Sequence, residues 1–478
     1  MPAGTFHNPD ALPQLIGEFR PVDEWQAHIN KIFYGLRGRR LREFYQTFAA
    51  ADYRLAHALA ADYYERVHKR EREAARSKGQ EASGKYLVIL ELGCGNGNLA
   101  AGFLSHLKQL DTTGLIYPQV RYVLVDSHDA ALQAAKAHPD LVDHQACIDG
   151  LLASVEDLST LKDGSVDRIL CNELWNDLPT KLMLRNEGEI EEEFLRPNLS
   201  EKRQAEISDW SSFVRSFDAK DIGRLREFPA FLEDIIWEKE YRKANWKEIP
   251  YRKTITDFLK KIDEHVLVPV NLGACATVKE AKRLLAPDAV GFSSFDAGTA
   301  DFHVLNDPEK PCYGQFGGQY SFMVNFALVE AVAGHYGIQT TIEPQREFVG
   351  RSLNTNVLSL MDLLATHRTS ASLTPWQQDR LLLRTIHALN TAYRSPYRRK
   401  IDFSLSTDTP ADERERLQEL LATLKENGVP DTIAYITEEE ALAATPELEA
   451  LGYERDMIRA ALLAPPQGVD YYHQSFRL

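Results

Sequence analysis

The strongest constraint on the fold is the segment covering residues 86–99, which reads Tyr-Leu-Val-Ile-Leu-Glu-Leu-Gly-Cys-Gly-Asn-Gly-Asn-Leu. The first six residues are mostly apolar and rich in β-branched side chains, which is typical of a buried parallel strand, and we expect this strand to end on the acid Glu91. Three alternating glycines follow: Gly93, Gly95 and Gly97. They permit a tight turn that side chains would block. We expect Asn98 to cap the next helix, so that the turn presents bare backbone N–H groups to a nucleotide-type ligand.

The turn differs from two other nucleotide-binding signatures. The dinucleotide fingerprint is G-x-G-x-x-G, and Asn98 stands where its third glycine belongs. The P-loop requires a Lys-Ser/Thr pair after its last glycine, and none is present. The pattern E-x-G-x-G-x-G instead resembles the first motif of S-adenosylmethionine (SAM) methyltransferases. An acid such as Glu91 suits that ligand, because SAM carries an ammonium and a sulfonium.

A second apolar segment, residues 120–126, also ends on an acid. The carboxylate of Asp126 can accept the protons of two ribose hydroxyls, as the corresponding acid does in dinucleotide-binding folds. In doubly wound sheets the ligand lies at the carboxyl ends of the strands, so we expect the predicted strand ends to converge on one crevice. The expected cofactor-binding residues are Glu91, Gly93, Gly95, Gly97, Asn98, Asp126, Ser127, Asp149, Gly150 and Asn172. The alternative is that the glycines only form a loop and that Asp126 only caps a helix.

Composition excludes several other classes of protein. The formal net charge of −15 argues against a general nucleic-acid binder, and the basic run Arg394–Lys400 is more typical of a solvated helix end. The five cysteines form no C-x-x-C pair and the 14 histidines show no metal-ligand spacing, so we expect reduced thiols and no metal site. The N-terminus shows no signal-peptide pattern, and no apolar run approaches the ~20 residues that span a bilayer. We therefore expect a cytoplasmic protein.

Hydrophobic periodicity predicts an α/β fold with a doubly wound, Rossmann-like sheet. Residues 1–84 are predicted to form N-terminal helices, with a charged linker over residues 68–85. Residues 85–345 are predicted to form the methyltransferase domain, with a helical and hairpin insertion at about 180–272. Residues 346–478 are predicted to be a C-terminal helical region.

The segment after the predicted strand 166–172 carries the expected catalytic residues. Asn172 can position an acceptor nitrogen or oxygen, and Glu173 can accept a hydrogen bond from a guanidinium, an amine or a hydroxyl. The alternative is that Asn172 caps a turn and that Glu173 anchors backbone. Trp175 fits the wall of an acceptor pocket and the protein core equally well.

The residues 172–179, Asn-Glu-Leu-Trp-Asn-Asp-Leu-Pro, resemble the N-E-x-x-D-A-L-P element of the MidA-type SAM-dependent methyltransferases. Further segments resemble family motifs in the same order: Arg185–Glu193, Ser294–Gly298, Tyr320–Phe326 and Gln345–Val349. The resemblance covers about residues 86–351 and implies SAM as cofactor and S-adenosyl-L-homocysteine as product. The family includes the mitochondrial complex I assembly methyltransferase, so the resemblance also implies an arginine acceptor.

The chain departs from the family pattern at the acceptor element. The family's acid falls on Asn176, and Asp177 stands one place later. The sequence Tyr320-Ser-Phe replaces D-[IL]-T, and the N-terminal G-D-F/Y-x-T-[AS] segment is not recognisable in residues 1–84. The carboxylate that would bind a guanidinium acceptor is therefore either moved by one position, to Asp177, or absent.

The sequence supports three functional hypotheses. The leading one is methyl transfer to a protein side chain, with arginine as the first guess, since the acidic balance suits a cationic polypeptide. The first alternative is a small-molecule O- or N-methyltransferase in which the insertion covers an enclosed pocket. The second is a SAM-binding assembly factor with decayed catalysis. The expected partner is a protein or small-molecule methyl acceptor, with no nucleic acid and no membrane, and the oligomeric state stays open with a homodimer as one option.

Overall fold

The computed structural model describes residues 14–37, 52–78, 86–316, 318–369, 372–393, 396, 405–406, 408–426, 434–465 and 467–478 of the chain. The first elements in chain order are β1 (Gln14–Leu15), β2 (Arg20–Pro21), α1 (Val22–Arg37), α2 (Tyr53–Lys78), β3 (Leu87–Leu92), α3 (Asn98–Leu110), β4 (Val120–Asp126), α4 (Asp129–Lys136) and β5 (Ile148–Leu152). They are followed by β6 (Arg168–Asn172), β7 (Thr180–Asn186), β8 (Glu189–Leu199), α5 (Glu201–Glu206), α6 (Trp210–Ala219), α7 (Ile222–Leu225), β9 (Ile236–Lys243), α8 (Arg252–Leu259), β10 (Val268–Asn271), α9 (Leu272–Leu284), β11 (Gly291–Thr299) and α10 (Phe302–Leu305). The remaining elements are β12 (Tyr313–Phe316), β13 (Gln319–Phe322), β14 (Val324–Asn325), α11 (Phe326–His335), β15 (Gln339–Pro344), α12 (Gln345–Leu353), β16 (Val357–Ser359), α13 (Leu360–Ala365), α14 (Pro375–Leu389), α15 (Ala411–Glu426), β17 (Tyr435–Thr437), α16 (Glu438–Ala443), α17 (Thr445–Leu451), α18 (Arg455–Leu463) and β18 (Asp470–Arg477).

The described residues divide into two compact units. Unit 1 draws on residues 1–41, 153–342 and 467–478, and unit 2 on residues 42–152 and 343–466. This division differs from the three consecutive segments that the sequence predicts. The reason is that distant parts of the chain return to one another, since β18 pairs with β11 in unit 1 and α12 packs on α2 in unit 2.

Unit 2 contains three parallel strands in the order β3-β4-β5. Helix α3 connects β3 to β4, and α4 connects β4 to β5, so the segment forms two consecutive βαβ units. The register aligns Leu92 with Val125 and Asp126 with Leu152, which places the ends of β4 and β5 at one edge. The α/β, Rossmann-like arrangement that the sequence predicts is confirmed.

The register corrects the prediction that Asp149 and Gly150 stand at a strand end. Asp149 pairs with Val123 and lies near the start of β5, and the strand continues to Leu152. Since a strand rises about 3.3 Å per residue, Asp149 lies about 10 Å short of the carboxyl edge. The sequence before Asp149 suggests a strand that ends there. In the structure, Pro139–Cys147 form a 3-10 helix and the strand begins only at Ile148.

The charged segment 68–85 is a helix over the part that the structure describes, not a linker. Residues 68–78 form the last turns of α2, and the charged side chains at positions 69–73 and 76 are exposed or half-buried. Helix α2 approaches α3 closely, since a Cβ at Gly102 would lie 2.7 Å from the Cβ of Ala56. Residues 79–85, and the basic run Arg394–Lys400 apart from position 396, lie outside the described residues.

Unit 1 contains β11 between two partners. Strand β6 pairs with β11 in parallel, from Arg168–Gly291 to Asn172–Phe295, and β18 pairs with it antiparallel along seven residues. A separate antiparallel sheet is built on β7 and β8, which form a hairpin that turns at Gly188, inside the insertion where the sequence predicts one. Strands β1, β2 and β9 pair with β8, and β10 pairs with β7.

Strand β18 is a feature that the predicted C-terminal helical region misses. Helices α12 to α18 lie between residues 345 and 463, and a capping box begins α14, where Gln377 Oε1 accepts the Thr374 N–H at 3.0 Å. The sequence of β18, Asp-Tyr-Tyr-His-Gln-Ser-Phe-Arg, shows no apolar alternation, because its buried positions include His473, Gln474 and Ser475. Pairing with β11 buries these polar side chains. Across the described residues, the helices are too short or too polar to cross a membrane.

Replacing Gly97 with alanine should lower the free energy of unfolding for two reasons. Residue 97 has a φ of 83°, and a Cβ at this position would lie 2.9 Å from the Ala135 carbonyl oxygen. Gly114→Ala is the matched control, with φ 66° and no atom within 4 Å of its Cβ. The left-handed conformation costs about 1–2 kcal/mol at either position. Urea unfolding should therefore show a larger loss for Gly97→Ala. Equal losses would show that the approach of α4 does not require glycine.

Candidate cofactor and acceptor sites

The glycine turn between β3 and α3 uses backbone conformations that L side chains rarely adopt. The φ angles of its three glycines are 70°, 52° and 83° in chain order. The N–H groups of Gly93 and Cys94 donate to the Val125 carbonyl oxygen at 2.9 and 3.2 Å, which fixes the turn to β4. Within the described part of the chain, no hydrogen-bond acceptor is found for the N–H groups of Gly95 and Asn96. The turn thus offers two amide donors to a ligand.

Asn98 does not cap α3, contrary to the prediction. The helix begins at Asn98, and Gly97 occupies the N-cap position in a left-handed conformation. The Asn98 side chain is buried, and its Oδ1 lies 2.9 Å from His138 Nε2. Its backbone N–H is taken by Asn96 Oδ1 at 3.0 Å. The role of Asn98 is therefore to link α3 to the segment after α4.

Glu91 is a buried acid with a neutral hydrogen-bond partner. Only 3% of its surface is exposed, and the Tyr122 hydroxyl donates to its Oε2 at 2.8 Å. Burial, with a smaller contribution from the charge of Asp126, raises the pKa of Glu91 to about 8, although the hydrogen bond from Tyr122 opposes the shift. A cation placed beside this carboxyl would stabilise its ionised form.

Asp126 ends β4 and keeps one carboxylate oxygen available. Its Oδ1 accepts the His128 N–H at 2.8 Å. The Cys94 thiol lies 4.0 Å from Oδ2, which is too long for a strong hydrogen bond. The next side chain, Ser127, has its Oγ 3.1 Å from His128 Nδ1. The Oδ2 atom can therefore accept a ligand hydroxyl.

The donor set at this edge of unit 2 fits SAM. The buried Glu91 carboxyl suits a cation, the turn offers amide donors, and Asp126 Oδ2 suits a ribose hydroxyl. A Cβ at Gly95 would meet no atom within 4 Å, so the space in front of the turn is open. The structure brings Glu91, the glycine turn, Asp126 and Ser127 together here. Asp149 and Gly150 are exposed and lie away from this edge, and the binding of SAM by these residues stays a prediction.

Unit 1 holds the expected catalytic pair at the end of β6. Both polar side-chain atoms of Asn172 are buried and have no hydrogen-bond partner among the described residues. Glu173 has φ 47°, and its N–H donates to the Phe295 carbonyl oxygen at 2.8 Å. A non-glycine residue in this region stores strain of about 1–3 kcal/mol. Strain next to a buried, unsatisfied amide is typical of a functional site. The predicted convergence of this pair with the residues of unit 2 stays a prediction.

Asp296 is a second buried acid near Glu173 that the predicted site omits. Its side chain is fully buried, and it accepts the N–H groups of Asn176 at 3.2 Å and Ala297 at 2.9 Å. Burial raises the pKa of Asp296 to about 7, and the charge of Asp177 adds to the shift. The signal in the sequence was the strand end Ser-Phe-Asp-Ala-Gly at 294–298, which resembles a family motif.

The pKa of Tyr471, which lies on β18, is affected by several acidic side chains of this region. Although Tyr471 exposes 37% of its surface, the carboxylate of Glu173 raises the pKa of its hydroxyl well above the ordinary value. Burial contributes next, followed by the charges of Asp296 and Asp470. Three acidic side chains therefore lie close enough to Tyr471 to disfavour the ionisation of its hydroxyl.

The altered acceptor element uses Asp177 as an internal anchor. The Asn30 and Gln319 side-chain amides donate to Asp177 Oδ1 at 2.5 and 2.8 Å, and the Tyr34 hydroxyl donates to Oδ2. Its carboxylate is thus engaged with α1 and β13. Asn176 is buried, and its Oδ1 has no partner within the described part of the chain.

Trp175 belongs to the core of unit 1, which is one of the two roles that the sequence left open. Its side chain is fully buried, and its indole N–H donates to Thr277 Oγ1 at 2.8 Å. The rings of Phe292, Phe326 and Phe476 lie 5.8–6.2 Å from it. Trp175 therefore does not line an acceptor pocket.

Among the residues that the structure describes, no group of three His, Cys, Asp or Glu side chains is placed to hold a metal ion.

A comparison with protein families gives a match to the segment that contains the cofactor-binding candidates of unit 2 and the Asn172–Glu173 pair of unit 1. Residues 72–286, a little under half of the chain, match a family described as "Putative S-adenosyl-L-methionine-dependent methyltransferase". No curated protein matches the chain at a significant level.

Solved structures show distant similarity. A Burkholderia thailandensis protein bound to S-adenosyl-homocysteine is 12% identical, with 97% of this chain and 88% of that chain covered and a TM-score of 0.45. An uncharacterised protein from the same organism is 15% identical, with 77% and 83% covered and a TM-score of 0.44. A geranyl diphosphate C-methyltransferase from Streptomyces coelicolor is 6% identical, with 87% and 80% covered and a TM-score of 0.29. Because the TM-scores are below 0.5, these similarities are too weak to support a functional conclusion.

Replacing Asp126 with alanine should weaken SAM binding by about 1–3 kcal/mol, the cost of leaving ribose hydroxyls unpaired. Titration calorimetry measures the affinity directly. Asp129→Ala is the matched control, because Asp129 is an exposed acid three residues further along the chain. Unchanged affinity in Asp126→Ala would remove Asp126 from the site.

SAM binding at pH 7 should release a proton from Glu91. The pKa of Glu91 is raised to about 8 in the ligand-free protein, so the carboxyl is mainly protonated at pH 7 and a cationic ligand favours its ionisation. Calorimetry in buffers of different ionisation enthalpy counts the protons. Glu91→Gln should lose this release, and an unchanged proton count in that variant would show that Glu91 does not meet the cation.

Proposed function

We propose that this chain, which over residues 72–286 matches a family described as "Putative S-adenosyl-L-methionine-dependent methyltransferase", transfers the methyl group to a protein side chain, with arginine as the first candidate. The observation that carries the acceptor proposal is the strand pairing of unit 1, which places the acids Glu173, Asp296 and Asp470 near Tyr471. Such a cluster of acids attracts a guanidinium and disfavours an anionic substrate.

The residues of unit 2 would hold the cofactor. The Gly95 and Asn96 amides and the Asp126 carboxylate would bind its polar groups, and Glu91 would face its cationic part. SAM supplies a methyl carbon that is already activated by a sulfonium. The contribution of the protein is therefore alignment of the acceptor and removal of its proton.

Glu173 and Asn172 would act on the acceptor. The buried and unpaired amide of Asn172 would orient the acceptor nitrogen through hydrogen bonds. Glu173 would accept a hydrogen bond from that nitrogen and take its proton as the nitrogen–carbon bond forms and the methyl carbon–sulfur bond of SAM breaks, with S-adenosyl-L-homocysteine as the leaving group. Asp296 would contribute charge, because a buried acid with a pKa of about 7 is partly ionised at neutral pH.

One observation favours a second candidate, a SAM-binding assembly factor without catalysis. Asn176 stands where the family has an acid, and the neighbouring Asp177 is engaged by Asn30, Tyr34 and Gln319. Incubation of the protein with labelled SAM and a lysate of its own organism separates the two functions. Methylated arginine in an acceptor protein supports the enzyme. Cofactor binding without any transfer supports the assembly factor.

Replacing Glu173 with glutamine should lower kcat by about 10²–10⁴-fold, the usual loss on removing a general base, while SAM affinity stays near that of the wild type. Glu187→Gln is a matched control, because Glu187 is exposed in the β7–β8 turn and also has positive φ, at 49°. Kinetics with the acceptor protein found in the lysate, together with calorimetry for SAM, give the two readouts. Equal losses in turnover and SAM affinity would assign Glu173 to the cofactor instead.

A further inference from the structure

A groove lies among three of the C-terminal helices of unit 2 and shares no residue with the cofactor and acceptor sites. Helices α14, α15 and α17 line it, and its volume is about 490 Å³. Ligand sites for small molecules are typically clefts of about 300–1,000 Å³. The groove is therefore large enough to hold a small organic molecule.

One wall of the groove is basic. Arg380, Arg384 and His387 follow one another on α14 at spacings of four and three residues, which places them on one helix face. Arg416 of α15 also lines the groove. This concentration is local, because the chain as a whole carries a formal net charge of −15.

The acids of the groove neutralise only part of this charge. Glu413 lies between two of the arginines, with its carboxylate oxygens 3.8 Å from Arg380 Nη1 and 3.0 Å from Arg416 Nη1. Arg384 has no ion-pair partner among the described residues. Glu447 lines the groove from α17 and is exposed. Arg384 is thus the guanidinium most available to a ligand.

The other part of the lining is apolar. Leu417 is 3% exposed, and Leu420 and Leu451 are half-buried beside it. Leu417 and Leu420 belong to the hydrophobic cluster that packs the C-terminal helices, so this surface is held in place by the core of unit 2. A ligand that satisfies both sides of the groove carries an anionic head and a short apolar part.

We propose that this groove binds a small organic anion, a carboxylate or phosphate monoester with a short apolar group, and that Arg384 pairs with the anionic head. The planar guanidinium forms two parallel hydrogen bonds with either head group. The net negative charge of the protein repels anions at long range, so the affinity depends on contacts within the groove. The site is independent of methyl transfer, and it can be tested without SAM.

Calorimetry of the full chain with hexanoate and with hexyl phosphate tests this site and distinguishes the two head groups. Saturable binding of at least one of them is expected, and inorganic phosphate should bind at least about tenfold more weakly than hexyl phosphate because it leaves the apolar wall uncovered. Arg384→Gln should weaken binding about tenfold or more. Arg459→Gln is the matched control, since Arg459 is an exposed arginine on α18 outside the groove, and it should change affinity less than about twofold.

Three outcomes would overturn the proposal. The first is no saturable binding of either organic anion at concentrations up to about 10 mM. The second is an equal effect of Arg384→Gln and Arg459→Gln, which would indicate attraction by charge alone. The third applies where hexyl phosphate binds saturably: equally tight binding of inorganic phosphate would exclude the apolar wall. Leu420→Ala gives a second check, because it should weaken the binding of hexyl phosphate but not that of inorganic phosphate.

Discussion

The desolvation of Glu91 is the constraint on which the cofactor site depends. A carboxyl that is almost fully buried at the end of β3 has only the neutral Tyr122 hydroxyl as a close partner. Keeping it ionised without a cation is unfavourable, so the ligand-free protein holds a proton there near neutral pH. The neighbouring turn leaves amide donors and open space in front of Gly95. A positively charged ligand would relieve this arrangement, whereas a pyrophosphate would not.

The proposed acceptor region depends on strand pairing in unit 1. Strand β11 carries Asp296, its parallel partner β6 leads into Glu173, and its antiparallel partner β18 carries Tyr471. The pairing brings these side chains close enough for their charges to act on one another, although they are far apart in sequence. The backbone strain at Glu173 and the unpaired amide of Asn172 lie at the same strand end. The family's acid at the position of Asn176 is absent, and Asp296 supplies a buried carboxylate in that region.

The features that could be predicted from the sequence are those whose cause is local. The glycine turn, the strand ending at Asp126 and the hairpin at Gly188 depend on backbone conformation and on alternation within a few residues. The errors have non-local causes. The position of Asp149 depends on the register with β4, and the anchoring of Asp177 depends on donors from residues 30, 34 and 319. Burial of a polar strand such as β18 depends on a partner that precedes it by well over a hundred residues.

The order of β11 and β18 along the chain has a consequence for biosynthesis. On a translating ribosome, β11 emerges before residues 343–466, and β18 emerges after them. Until β18 arrives, the backbone groups of β11 that pair with it have no partner, and an open strand edge is a template for aggregation. Unit 1 therefore completes its sheet late. During that interval the unpaired edge of β11 favours association with other strands over native pairing.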